Sequence, residues 1–225
     1  MKTATIGALA LLFLAIPSSP DEKKSFRELQ WKYPRVRTAA KEKNEVLEKW
    51  FREKGVAFPP RAILLRAFKK EALLELWATD AEKKDYILVH EYRICTSSGT
   101  LGPKRRFGDE QVPEGFYDLD WFNPQSNFYL SLHINYPNAS DRILGSHQNP
   151  GGDIFLDGIC ASIGCIPITD NGIKEVYWLA VLVQNEPVLL GFWRNLKQGY
   201  DLFEKNHHLP RIGTRADGTY VFSDL

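Results

Sequence analysis

The sequence predicts an α+β fold, mostly β, with a helical N-terminal segment and flanking helices. Helical periodicity with many charges is confined to residues 25–55, and beyond Pro59-Pro60 short apolar runs alternate with charged or Gly/Pro-rich turns. At 225 residues and 44% hydrophobic, the chain has apolar material for one full core and a small appended element.

Residues 1–20 read as a secretory leader: Lys2 precedes an apolar run over 6–16, too short to cross a membrane comfortably, which ends at Pro17-Ser18-Ser19-Pro20. The expectation is an exported protein of the periplasm or cell envelope, with no integral span once the leader is removed; an uncleaved anchor is the alternative. Residues 21–58 form a helical segment in which Val36, Ala39, Ala40, Val46, Leu47, Trp50 and Phe51 recur at helical spacing, Pro34 divides the run and Gly55 stops it. Such spacing is first of all a core signal, so the segment is expected to pack on the main domain.

Residues 59–185 are the main domain. Runs at 62–68, 73–78 and 86–92 read as a meander, Val112-Pro113-Glu114-Gly115 as a turn, and 116–119 as the next strand. Over 130–136, alternation puts Leu130, Leu132, Ile134 and Tyr136 on one face and Ser131, His133 and Asn135 on the other. A Gly/Pro/Asn-rich stretch leads to a strand over 153–156, and a helix follows over 169–179 with Thr169 or Asp170 as N-cap. Residues 186–225 supply a last strand, 188–192, and a helix, 193–208, packing on the domain.

Charge excludes one class of partner. The 29 Lys/Arg balance 28 Asp/Glu, and loss of the leader removes Lys2. Phosphate backbones need a basic excess or a clustered basic face, so nucleic acid is not expected, and Lys104-Arg105-Arg106 reads as a solvated loop. No HExxH or CxxC pattern occurs, so neither metal nor cofactor is expected. Of three cysteines, one is left over after any single disulfide; if Cys165 is the free one, Cys95 pairs with Cys160.

Cys165 closes the turn Ser162-Ile163-Gly164-Cys165, straight after a buried-strand pattern. A thiol there attacks only as thiolate, which needs a cation, a base or amide donors nearby. The amides of Gly164 and Cys165 are candidate oxyanion donors and Ser162 a candidate orienter. Read alone, the motif is equally an ordinary buried cysteine in a tight turn.

Taken with Val112-Pro113-Glu114-Gly115-Phe116-Tyr117, Leu132-His133-Ile134-Asn135-Tyr136-Pro137-Asn138, and Asp157-Gly158 eight residues before Cys165, the chain resembles the L,D-transpeptidase catalytic domain family of the YkuD type, in its short-motif, murein-processing branch. The resemblance covers roughly residues 59–185. It implies a mostly β catalytic domain whose cysteine attacks an amide of a peptidoglycan stem peptide and passes the acyl group to an amine or to water. Cys165, Asp157, Ser162 and Gly164 then fall at catalytic positions, and Gly158, His133 and Asn135 beside substrate. A wall-attached protein is a second class of partner.

Family members carry His-Gly where this chain has Asp157-Gly158, so the general base is missing. A carboxylate beside a thiol disfavours the thiolate that an imidazole would favour. Of His90, His133, His147, His207 and His208, the best placed substitutes are His133, on the polar strand face, and His147, in the loop before the active-site strand. Two alternatives to transfer remain open: hydrolysis that trims stems or releases wall-attached protein, and a wall-binding pseudoenzyme without turnover.

Overall fold

The computed structural model describes residues 25–80, 85–183, 189–192, 203, 207, 210–216 and 220–223. The expected leader lies outside these residues, as does the expected helix over 193–208 apart from residues 203 and 207.

Helix α1 (Phe26–Trp31) starts with a capping box, in which the Ser25 hydroxyl accepts from the Glu28 amide while the Glu28 carboxylate takes the Ser25 amide. The chain breaks at Pro34, which opens α2 (Pro34–Lys54) where a missing N–H costs nothing, and α2 ends at Gly55 in the left-handed region, φ +69°. Val36, Ala39, Ala40, Leu47 and Phe51 form its buried stripe, with Val46 and Trp50 at the margin.

Strands β1 (Ala62–Phe68), β2 (Leu73–Thr79) and β3 (Ile87–Arg93) form the expected antiparallel meander. After β4 (Phe116–Asn123) come β5 (Ser131–Ile134), a short α3 (Ala139–Leu144), β6 (Phe155–Asp157), β7 (Ile166–Pro167), α4 (Thr169–Leu182) and β8 (Leu189–Phe192). These strands build one eight-stranded sheet in the order β3-β2-β1-β8-β4-β5-β6-β7, in which the β1–β8 and β6–β7 pairs are parallel. A separate hairpin, β9 (Arg211–Thr214) with β10 (Tyr220–Ser223), follows. The fold class is the α+β arrangement the sequence predicts.

Two expected boundaries shift. The strand placed at 153–156 starts two residues later, because Gly151 and Asp153 both take positive φ and turn the chain before it can extend. Helix α4 is preceded by Ile168, yet the capping bond comes from Thr169, whose Oγ1 accepts from the Gly172 amide, while Asp170 turns away to accept from the Ile159 amide.

The core lies between the sheet and α1, α2 and α4. Polar ties cross it: Tyr177 donates to Gln30, the Trp178 indole donates to Asn44, and Lys43 meets Glu175 at 2.7 Å with side chains only 10% and 8% exposed. Burial pushes the Glu175 carboxyl above the usual range and Lys43 works against that. Removing one member of a buried pair strands the other's charge, so Lys43→Met is expected to destabilise the fold by about 3–5 kcal/mol. Urea unfolding at pH 7 checks this. The opposite sheet face carries Leu64 and Phe116 with Phe203, onto which Ile212, Tyr220 and Phe222 of the hairpin pack.

Candidate active site

Strand alternation decides which side chains meet. Leu156 pairs with Ile166 across the parallel β6–β7 ladder and both point into the core, so their neighbours Phe155, Asp157 and Cys165 point to the other face. On β5, Ser131 lies opposite Asp157 and His133 opposite Phe155. The residues of that face wall a cavity of about 480 Å³, with Asp157 and Cys165 on one side and Asn123, Ser126, Phe128 and Ile163 around them.

The turn carrying the thiol is fixed from three directions. Cys95 and Cys160 are disulfide-bonded, tying the loop between β6 and β7 to the segment after β3, and Cys165 is the free cysteine. Ser162 Oγ donates to the Cys165 carbonyl at 2.7 Å, accepts from the Gly164 amide at 3.1 Å and lies 3.2 Å from Ser98 Oγ. Gly164 has φ +134°, and a Cβ there would meet Ile154 at 3.1 Å and the Gln111 carbonyl at 3.2 Å. Ser162 thus shapes the turn, and the Gly164 amide, expected as an oxyanion donor, is committed inside it.

Gly158 serves packing. A Cβ would lie 2.5 Å from Asp170 Oδ1 and 2.8 Å from the Phe128 carbonyl, and the Gly158 amide donates to that carbonyl. It anchors the loop that holds Phe128 and does not line the cavity.

Electrostatics set the resting state. Asp157 is 1% exposed and its oxygens meet no donor besides the neighbouring Cys165 thiol, so burial drives its carboxyl up to about 8, with that thiol only partly opposing. Burial, and next the Asp157 charge, push the Cys165 thiol up to about 12, against the pull of the Phe155 amide directed at the sulfur. The thiol also lies 3.9 Å from the Asp153 carbonyl. At neutral pH both groups are therefore chiefly protonated.

Two residues expected near substrate are elsewhere. His133 Nδ1 bonds Asp120 Oδ1 at 2.6 Å, its ring packs on Phe155 at 5.0 Å, and Phe155 screens it from the thiol cavity. Asn135 bonds Asp118 and lines a different cavity of about 330 Å³ beside Tyr220. His147 is exposed and His90 stacks on Trp50. Among the described residues no histidine lines the cavity, so neither favoured substitute base is in place.

The 123–129 wall went unremarked in the sequence. Its anchor is Arg35 of α2, which donates at 2.6 Å to the carbonyls of both Ser126 and Tyr129 and lies over the Tyr129 ring. The run Asn123-Pro124-Gln125-Ser126-Asn127 signals a turn, but nothing local says that it walls a cavity.

The chain is 34% identical over 187 residues to the provisionally named L,D-transpeptidase YafK of Escherichia coli (strain K12), covering 72% of this chain and 74% of YafK, and YafK of strain O157:H7 gives the same figures. The chain belongs to the L,D-transpeptidase family, a family of peptidoglycan-processing enzymes. No protein-family model matches it. Among solved structures, the helical cell shape determining protein Pgp2 of Campylobacter jejuni aligns with TM-score 0.48 at 22% identity, over 64% of this chain and 52% of Pgp2. The chain spans about half the length of Pgp2. L,D-transpeptidase 1 of Mycobacterium tuberculosis aligns with TM-score 0.32 at 13% identity, over 58% of this chain and 62% of its own. No described helix is long and apolar enough to cross a membrane.

Proposed function

We propose that the chain is an exported cysteine acyltransferase acting on peptidoglycan stem peptides, with Cys165 as nucleophile and Asp157 as the proton carrier in place of an imidazole. The observation that supports this most is the pairing itself: the free thiol and a buried, otherwise unpartnered carboxyl share the wall of one 480 Å³ cavity.

The proposed chemistry balances with those two groups. In the minor fraction of molecules whose Asp157 is ionised, about a tenth at pH 7 for a carboxyl near 8, its carboxylate takes the thiol proton as Cys165 Sγ bonds to the stem carbonyl carbon; Asp157 then gives that proton to the leaving amine as the C–N bond breaks. An acceptor amine or water next attacks the thioester, losing its proton to Asp157, and the C–S bond breaks as Asp157 passes that proton to the departing sulfur, which restores the thiol and the ionised carboxylate. The Cys165 amide is the proposed oxyanion donor, Ser162 and Gly164 hold the turn, and Gly158 seats the loop. The proposed units are residues 1–20 as leader, 21–58 as a helical segment, 59–185 as the catalytic domain and 186–225 as a C-terminal addition.

A second reading, wall binding without turnover, is favoured by the thiol's rise to about 12, which leaves almost no thiolate at neutral pH. Mass spectrometry of muropeptides incubated with the parent, Cys165→Ala and Asp157→His separates the two. Cross-linked or trimmed products from the parent and Asp157→His, absent with Cys165→Ala, are expected. Identical unchanged profiles for all three, with muropeptides still bound, would overturn the enzymatic reading.

A further inference from the structure

A second cavity, of about 380 Å³, lies between α1 and the end of β4, lined by Gln30, Tyr33, Asp120, Trp121, Asn123 and Gln125 among others. It adjoins the thiol cavity. Asn123 lines both, and the Trp121 ring packs edge-to-face at 5.8 Å on Phe155, which lines the first.

Trp121 is 53% exposed yet held, with Phe155 against it and the His133 ring at 6.3 Å. A large apolar face already fixed by its neighbours loses little freedom on binding. Around it stand amides, a phenol and one carboxylate, with Phe26, Phe122 and Pro124 completing the wall. The Gln125 side-chain amide bonds no described residue, and Asp120 is matched by His133.

These groups select a ligand class. An anion would meet Asp120 and no lysine or arginine among the lining residues, a cation would compete with His133 for Asp120, and an apolar segment would bury Asn123, Gln125 and Asp120 without partners. A neutral polyhydroxylated ring meets both demands, with its C–H face on the indole and its hydroxyl and acetamido groups on the amides, phenol and carboxylate.

We infer that the Trp121 cavity is a saccharide subsite, which holds the glycan of a substrate whose peptide enters the Cys165 cavity. The peptide half of this statement rests on the function proposed above. The sugar half does not.

Ligand-observed NMR of the full chain with the neutral disaccharide di-N-acetylchitobiose tests the sugar half directly. Saturable binding is expected, retained in Trp121→Phe and weakened at least tenfold in Trp121→Ala. Gln125→Ala, on an exposed turn, is expected to weaken binding several-fold and serves if Trp121→Ala does not fold. No saturable binding, or equal binding by parent, Trp121→Ala and Gln125→Ala, overturns the subsite. A parallel titration with a sugar-free stem tetrapeptide keeps the two failures apart. Sugar bound through Trp121 with no peptide bound sinks the proposed reaction and leaves the subsite standing, whereas bound peptide with Trp121-independent sugar binding sinks the subsite alone.

Discussion

Asp157→His is expected to speed alkylation of Cys165 by iodoacetamide at pH 7 by more than about tenfold, with about a thousand-fold, the full return to an unperturbed thiol, as the ceiling. A thiol near 12 is about one part in 10⁵ thiolate at that pH, while an unperturbed thiol at 9.0 is about one per cent ionised. An imidazole at position 157 would remove the opposing carboxylate and, as imidazolium, attract the thiolate. Position 157 needs no backbone change for this, because β6 already directs its side chain to the cavity face opposite Ser131. Burial, the largest cause of the rise, persists in the variant and keeps the gain below that ceiling. Equal alkylation rates for the parent and Asp157→His would mean that the carboxyl does not govern the thiol, and the electrostatic account of the site would fall.

Parent stability should decline between pH 4 and pH 8 more steeply than that of Asp157→Asn. The Asp157 carboxyl holds its proton to about 8 in the folded chain and loses it near 3.8 when unfolded. Between those values the native state carries a proton that the unfolded state lacks, so this group's contribution is full below the lower value and falls with rising pH. The slope is at most about 1.4 kcal/mol per pH unit, which over that window amounts to roughly 5 kcal/mol. Asparagine has nearly the same shape and cannot ionise. Cys165, the titrating group facing Asp157, starts to contribute only from its unfolded value of 9.0 upward, outside the window. Urea unfolding of parent and variant at pH 5 and pH 8 measures the difference, which isolates Asp157 from the other carboxyls that burial raises, Asp118, Asp141 and Glu175. Parallel curves would show that Asp157 is ionised in the folded chain across the whole range.

If the saccharide subsite holds, peptide and glycan are read by two adjoining cavities with Asn123 lining both. Chemistry and binding are then separable by substitution, since Cys165 and Trp121 line different cavities.

Features whose physics is local were legible from the residues alone. The break at Pro34 and the stop at Gly55 follow from one residue's missing N–H and another's tolerance of positive φ. The β1–β3 meander follows from short apolar runs between charged turns, and the polar face of β5 from alternation of two. Cysteine parity, with Cys165 free, led to the Cys95–Cys160 pair, and the Asp157-Gly158 and Ser162–Cys165 motifs marked the site because their spacing is short. Even there, the turn at Asp153 moved the start of β6, because a positive φ at a non-glycine residue has no reliable signature.

Which distant side chains share a cavity was settled by packing between elements far apart in the chain. His133 lay on the correct strand face, but the bulk of Phe155 and the bond to Asp120 keep it from the thiol. Asn135 shares that face by alternation, yet it is past the end of β5 and turns to Asp118. The 123–129 wall depends on Arg35, more than 90 residues earlier in the chain. Nor could the chain alone say that Asp157 would be buried with only the thiol facing it: its titration is set by desolvation, a property of everything packed around it rather than of its neighbours in sequence.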